Sequence, residues 1–421
     1  MLIQFTVGNF LSFKEKITLS MVKSAMHDLP ENVIEATDDF ELLKSAVIYG
    51  ANASGKSNLM FALRFMSFFA IDSFRSFQKG EEIGAFSFRL SETSITKPSF
   101  FEIVFLIGGV IYKYGFEVDN KKVNKEWLYY TQKNSEKTLF IRDGLKFEIS
   151  GKDFPEGLNK ESDTRDNCLF LSLVSQLNGP ISSKIINWFM KIRFSSSPNI
   201  KSVFSSIEKD LNLKEDVMKF VSIADNGVID FTATDILPEQ PGDNSPQVRK
   251  ISEIKKLMYF IHNIFNEKKE ISGTTKFDVD AESEGTKRMF ALSVPIINAL
   301  KNGEIIVIDE LENHLHPKLF EHIIKLFNSY NNKNNAQLIF ATHNLTCMNN
   351  TCFRRDQIWF TEKNSLGESS LFSLADYKLN DKKIRNDASY RKDYLLGKYG
   401  AVPFINEIDL SFRAKDNEPS K

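Results

Sequence analysis

The chain has 421 residues, 42% of them hydrophobic and 26% charged, enough for a sizeable core and more than one ordinary domain holds. Two lobes, or one domain with a large insertion, are expected. Its formal net charge of −1 gives no global basic field for nucleic acid, although a local basic groove stays open as an alternative.

Residues 1–70 alternate strand-like runs ("IQFTV", "ITLSM", "SAVIY") with turns. Ala46–Tyr49 reads as a buried strand, and Asn58–Phe69 as an apolar helix. Between them Gly50, Gly55, Lys56 and Ser57 match G-x-x-x-x-G-K-[ST]. The glycines let the backbone wrap so that its N–H groups face a β-phosphate, and the helix N-terminus adds partial positive charge. Lys56 can reach the β- and γ-phosphates, and the Ser57 hydroxyl can bind Mg²⁺. The bland alternative is a strand–turn–helix whose glycines merely allow the bend. Residues 84–150 are β-branched and aromatic, broken by "GG", "DNKK" and "DG"; they predict an antiparallel meander. Residues 155–270 read mostly as helix, with amphipathic stretches "SKIINWFMKIRF" and "LKEDVMKFVSIA" and a loop at 237–246 carrying three prolines. Ile251, Ile254, Met258, Ile261 and Phe265, at spacings of three and four, predict one packed helix, set against the body or offered to a partner.

In the second half, "IIVIDELE" (305–312) predicts a central parallel strand whose C-terminal end meets a ligand. Asp309 is placed to hold Mg²⁺ through water, and Glu310 to orient or deprotonate an attacking water. Strand-end acids facing solvent are the bland alternative. Ser283-Glu284-Gly285-Thr286 precedes an amphipathic helix: Ser283 is either an N-cap or part of a second anion site. One ligand needs one cradle, so a second implies a site shared between subunits. "QLIFATHN" (337–344) is another strand, ending where His343 can meet a γ-phosphate. His314 and His316 beside Glu312 could hold a metal, but Pro317 reads better as the start of a helix. The three cysteines (Cys168, Cys347, Cys352) suit reduced thiols rather than a disulfide scaffold. The start lacks the basic and long apolar regions of a signal peptide, and no apolar run reaches about 18 residues. A cytoplasmic protein with no membrane partner is expected. The 37 phenylalanines predict an aromatic-rich interior.

Phosphate loop, Ser–x–Gly turn, Asp–Glu strand end and strand-end His, in this order, resemble an ABC-type ATPase head, the group that includes SMC, Rad50 and RecF proteins. The opening "FTVGNFLSFKEKITL" resembles their first strand and turn. "GANASGKSNL", "ESEGTKRMFAL", "IDELENHLHP", "ATHN" and the tail "RNDASYRKDYLLGKYGAVP" are similar to the bacterial AAA15 (RloA/AbiLi-like) ATPases. The resemblance covers about residues 1–130 and 275–405.

It implies an α/β P-loop NTPase with an ABC-type head, an antiparallel β meander and a helical insertion. Residues 1–154 and 271–421 would form the head, and 155–270 the insertion. It implies ATP and Mg²⁺ as cofactors. Gly50, Asn52, Ser54, Gly55, Lys56, Ser57 and Asn58 would bind the nucleotide, with Ser57 and Asp309 on the metal. Glu310, Lys56 and His343 would be catalytic, and Ser283 and Gly285 would act in trans. Three departures stand out. The signature is not the full transporter-type sequence; His316 stands where related heads often carry Asp; and the bridging Gln has only Gln78 as a weak match. The implied function is slow ATP hydrolysis by the sensor or scaffold of an anti-phage, abortive-infection system. It would work as a homodimer or higher oligomer with a separate effector protein, a nuclease or toxin. The alternative is a DNA repair or maintenance ATPase of RecF or Rad50 type, for which the sequence gives only scattered Lys pairs. A third reading, a non-hydrolysing scaffold, is opposed by Glu310.

Overall fold

The computed structural model describes residues 1–37, 40–132, 135–195, 200–236, 255–379, 382–384 and 388–402. Apolar residues at alternate positions build β1 (Leu2–Gly8) and β2 (Ile17–Ser20), which bury Leu2, Phe5, Val7, Ile17 and Leu19 on one face. A small hairpin, β3 (Val33–Glu35) and β4 (Glu41–Leu43), leads into β5 (Ser45–Gly50) and the long helix α1 (Lys56–Ser76). After a single turn of helix, α2 (Glu92–Ile95), the meander runs through β6 (Ser99–Ile107), β7 (Val110–Val118), β8 (Val123–Gln132), β9 (Ser135–Asp143) and β10 (Lys146–Ile149). Gly108 and Gly109 join β6 to β7 with φ of 57° and 77°, the conformation a two-residue hairpin turn with positive φ at both positions requires. These five strands, with β1 and β2, form one antiparallel sheet in the order β10-β9-β8-β7-β6-β1-β2.

Next come α3 (Phe170–Gln176), α4 (Pro180–Phe189), β11 (Ile192–Phe194), α5 (Ile200–Lys209), α6 (Leu211–Ser222), β12 (Val228–Ile236), β13 (Lys255–Phe265) and β14 (Ile271–Asp278). The chain continues with α7 (Glu284–Asn302), β15 (Ile305–Ile308), α8 (Pro317–Phe327), β16 (Gln337–Ala341), β17 (Ile358–Lys363) and β18 (Ser369–Ser373). A short pair, β19 (Lys378–Leu379) and β20 (Lys382–Lys383), precedes α9 (Tyr390–Leu395). The second large sheet has the order β11-β15-β16-β5-β17-β18, parallel except for the edge strand β18. Its strands are apolar on both faces. Ala46, Ile48, Ile305, Val307, Ile339 and Ala341 pack toward α1, α3, α4 and the antiparallel sheet. Val47, Tyr49, Ile306, Ile308, Leu338 and Phe340 pack toward α5, α6, α7 and α8. The period-two alternation thus divides β5, β15, β16 and β17 between two cores. This is the α/β P-loop NTPase architecture with an attached antiparallel meander. The interior is aromatic-rich, as in the Phe105–Trp188 stack at 4.0 Å. The three cysteines are free and buried. Among the described residues no helix is long and apolar enough to cross a membrane.

Two expectations for residues 155–270 need correction. The single helix expected through Ile251, Ile254, Met258, Ile261 and Phe265 is not there: Lys255–Phe265 is the middle strand of the antiparallel sheet β12-β13-β14. "LMYFIHNIF" is aromatic and β-branched, with apolar residues on both phases, so its helical spacing was not unique; pairing on both sides decided for strand. Ile251, Ile254 and the 237–246 loop lie outside the described residues. The segment is therefore no purely helical insertion. Among the described residues it carries four α-helices but also supplies β11 to the parallel sheet and β12 and β13 to the three-stranded arm.

The meander is pinned to α3 by a charged group. Glu126 and Arg142 are fully buried, 3.6 Å apart. Glu126 accepts from Tyr114 Oη (2.9 Å) and from the Phe170 and Leu171 amides (2.6 and 3.0 Å), capping α3, while Arg142 donates to the carbonyls of Cys168 and Gly144. Glu126→Ala would leave the buried guanidinium without its counter-charge and two helix amides without their acceptor. It is expected to lower stability by about 3–5 kcal/mol in urea unfolding.

Candidate functional site

β5 is buried at all six positions and ends at Gly50, where the chain leaves the sheet for a loop that enters α1 at Lys56. The neighbouring strands dictate both glycines. A Cβ at Gly50 would lie 2.4 Å from the Thr361 carbonyl oxygen on β17. Gly55, at φ 121°, would bring a Cβ to 2.7 Å from Ser369 Oγ on β18. The loop is braced by Ser54 Oγ against Thr361 Oγ1 (2.6 Å) and by Ser369 Oγ donating to the Ser54 carbonyl (2.6 Å). Asn58 Nδ2 donates to Ser12 Oγ (2.7 Å), fastening α1 to the "NFLSF" turn. The side chains of Ser54 and Asn58 therefore serve the scaffold. Asn52 and Ala53 stand exposed at the loop tip.

Lys56 is buried, and its Nζ donates to the carbonyls of Gly50 (2.9 Å) and Ala51 (3.0 Å). Burial pushes its pKa below the usual lysine value, while Asp309, Glu312 and Glu310 oppose that shift. The ammonium thus lies across its own loop, facing three carboxylates.

Those carboxylates follow β15. Asp309 and Ser57 line one cleft together, walled by Leu11, Phe61, Phe86 and Phe194. Asp309 Oδ1 is buried without a hydrogen-bond partner among the described residues. An orphaned carboxylate oxygen beside an exposed hydroxyl is a donor set that fits a hard cation such as Mg²⁺, which keeps several waters and needs few protein ligands. Glu310 has φ 51°, a strained backbone of the kind that clusters at functional sites. Its Oε2 accepts from Asn313 Nδ2 (2.6 Å), and its carbonyl accepts from Arg288 (3.2 Å) on α7.

His343 follows β16 and lines a second cavity, of about 590 Å³, with Asn52, Ala53 and Ser54; Glu362, Lys363 and Tyr394 wall its far side. Its backbone amide donates to Glu312 Oε1 (2.6 Å). Burial, then the nearby Lys56 ammonium, holds its pKa below the usual value; Glu312, Glu310 and Asp309 act against them. A neutral imidazole at neutral pH follows, whose one N–H can donate to a phosphate oxygen.

Gly50, Gly55, Lys56, Ser57, Asp309, Glu310 and His343 therefore gather at the C-terminal ends of adjacent parallel strands. Ser283 and Gly285 do not join them: neither lines either cavity. Ser283 caps α7, its Oγ accepting from the Thr286 amide (3.1 Å), and a Cβ on Gly285 would meet the His314 carbonyl at 3.2 Å. His316 caps α8 by accepting from the Lys318 amide (3.2 Å), with Pro317 at the first helical position. Gln78 lines neither cavity; its carbonyl accepts from Asn167 Nδ2 (2.6 Å). The sequence reading missed Glu312 as the anchor of His343, Arg288 as the brace of Glu310 and Thr361 as the brace of Ser54. Glu312 lies two residues beyond Glu310 and was within reach of the motif. The other two depend on which elements become neighbours.

A family model described as "AAA domain, putative AbiEii toxin, Type IV TA system" matches residues 45–349. Similar solved structures include the SMC head domain from Thermotoga maritima, at 13% identity and a TM-score of 0.40, covering 88% of this chain and 98% of that one. An SMC head bound to the C-terminal winged-helix domain of ScpA has 14% identity and a TM-score of 0.41, covering 88% and 97%. The recombination mediator RecF with ATP has 14% identity and a TM-score of 0.31, with the same coverages. No curated protein matches the chain.

Gly55→Ala would force a side chain into positive φ and against Ser369. It is expected to cost about 2 kcal/mol in urea unfolding and to weaken nucleotide binding in fluorescence titration.

Proposed function

The chain belongs to this AbiEii-like AAA-domain family of P-loop ATPases, and we propose that it binds and hydrolyses Mg·ATP at the strand ends around Lys56. The observation that carries the reading is the buried Lys56 ammonium, parked on two loop carbonyls opposite Asp309 and Glu310 and near His343. Backbone N–H groups of the Gly50–Ser57 loop and the N-terminus of α1 receive the phosphates. Lys56 exchanges the Gly50 and Ala51 carbonyls for phosphate oxygens. Ser57 and Asp309 would hold Mg²⁺, which supplies neutralisation of charge on the phosphate oxygens. Glu310 orients the attacking water and takes its proton, with Asn313 and Arg288 steadying its loop. His343, fixed by Glu312, hydrogen-bonds the γ-phosphate.

Ser283 and Gly285 stand apart from their own chain's cavities, which supports their use on the nucleotide of a second copy and so an ATP-dependent dimer or higher oligomer. The family's description refers to a toxin–antitoxin system. That supports a place in abortive-infection defence; the description itself calls the domain a putative AbiEii toxin, so the role as sensor or scaffold beside a separate nuclease or toxin rests on the motif resemblance alone.

Lys56→Ala should weaken ATP binding at least about tenfold, roughly 1.4 kcal/mol, in calorimetry. Glu310→Gln should retain ATP but lose about 10²-fold or more in turnover, measured as phosphate release. Both should abolish protection against phage, and normal turnover by either variant would sink the ATPase assignment. Tagged Glu310→Gln protein, purified from its native host with ATP, should bring down a stoichiometric effector. Recovery of nuclease-sensitive DNA with no protein companion would favour the RecF/Rad50-type alternative.

A further inference from the structure

The start of α7 carries a chain of hydroxyls whose protons can be counted. Thr286, 3% exposed, donates its hydroxyl proton to Asp225 Oδ2 at 3.3 Å. A carboxylate only accepts, so this direction is fixed. Thr286 Oγ1 also lies 2.8 Å from Ser283 Oγ. Either oxygen could donate across that contact; the assignment that satisfies both contacts has Thr286 giving its one proton to Asp225, the stronger acceptor, and Ser283 donating to Thr286. Ser283 Oγ meanwhile accepts from the Thr286 amide at 3.1 Å. In that assignment the Ser283 proton is engaged with Thr286, and the oxygen keeps only lone pairs, which cannot donate to a phosphate oxygen.

Asp225 belongs to the turn between α6 and β12, at the foot of the three-stranded arm. Its Oδ1 accepts from the Gly227 amide at 2.8 Å. The same arm grips the other side of the turn: His262 on β13 bonds Glu282 Oε1 at 2.7 Å, one residue before Ser283.

We propose that Asp225 and Thr286 are positioning residues that hold the Ser283 hydroxyl in a non-donating orientation, a latch that must open before Ser283 can donate to the γ-phosphate bound by another copy of the chain. The inference rests on the reading of Ser283 as the residue offered in trans. Movement of the arm that draws Asp225 from Thr286 frees the Thr286 hydroxyl to rotate, and the Ser283 proton can then turn outward.

The test uses the full chain and four substitutions, with steady-state ATP hydrolysis and ATP-dependent self-association as readouts. Thr286→Val keeps the side-chain shape and the amide that Ser283 caps, but removes the inward acceptor. It should lower KM for ATP, and the ATP concentration needed for self-association, by about three- to tenfold, the worth of one hydrogen bond, with kcat within about twofold of the parent. Thr286→Ser, which restores the hydroxyl, should return both to the parent values. Asp225→Ala, removing the terminal acceptor, should move KM in the same direction as Thr286→Val. In the Ser283→Ala background the gain should vanish. The latch is overturned if Thr286→Val leaves KM unchanged or raises it at an unaltered urea midpoint, or if its gain survives Ser283→Ala. If Ser283→Ala alone changes neither KM nor self-association, the composite-site reading itself falls and takes the latch with it.

Discussion

The structure depends on burying a parallel sheet from both sides. β5 exposes no residue, and β15 and β16 are equally enclosed, because alternate side chains feed two separate hydrophobic cores. A strand in that position has no solvent-facing side on which polar chemistry could be placed. Polar function is forced to the strand ends, where the chain first leaves the sandwich. Gly50, Asp309 and Thr342 all occur at that boundary, so the phosphate loop, the acidic pair and His343 converge without any long-range signal in the sequence to bring them together.

The opposite ends of the same strands are held by buried amides. Gln337 on β16 mimics a strand: its Oε1 accepts from the Leu2 amide at 2.6 Å, and its Nε2 donates to the carbonyls of Leu2 and Leu43 at 3.1 Å. Gln357 does similar work beside β17, donating to Ser45 Oγ at 2.9 Å and accepting from Asn32 Nδ2 at 2.7 Å. Such groups stay buried only when their hydrogen bonds are satisfied, so they specify one register between β1, the β3–β4 hairpin and the parallel sheet. The antiparallel meander is docked in the same way by Glu126, which spends its charge on the end of α3. At the other end, Asp309 Oδ1 has no hydrogen-bond partner among the described residues and Glu310 holds a positive φ.

Much of this was legible in the residues themselves. The spacing of Gly50, Gly55, Lys56 and Ser57 after an apolar run determined a strand, a tight loop and a helix, because few backbones other than a tight wrap need two glycines and a lysine there. Asp309, Glu310 and His343 were legible for the same local reason: each lies within two residues of the end of an apolar strand run. Turn residues marked the meander, and Pro317 marked the start of α8. What the sequence left open was every choice made by neighbours. The 255–265 stretch carries apolar residues in both a helical and an alternating pattern, and only pairing with β12 and β14 decided for strand. The scaffold roles of Ser54 and Asn58 depend on Thr361 and Ser12, which are distant in sequence. Local pattern fixes an element when one conformation alone satisfies it; which side chain meets which is set by packing, and packing is a property of the whole chain.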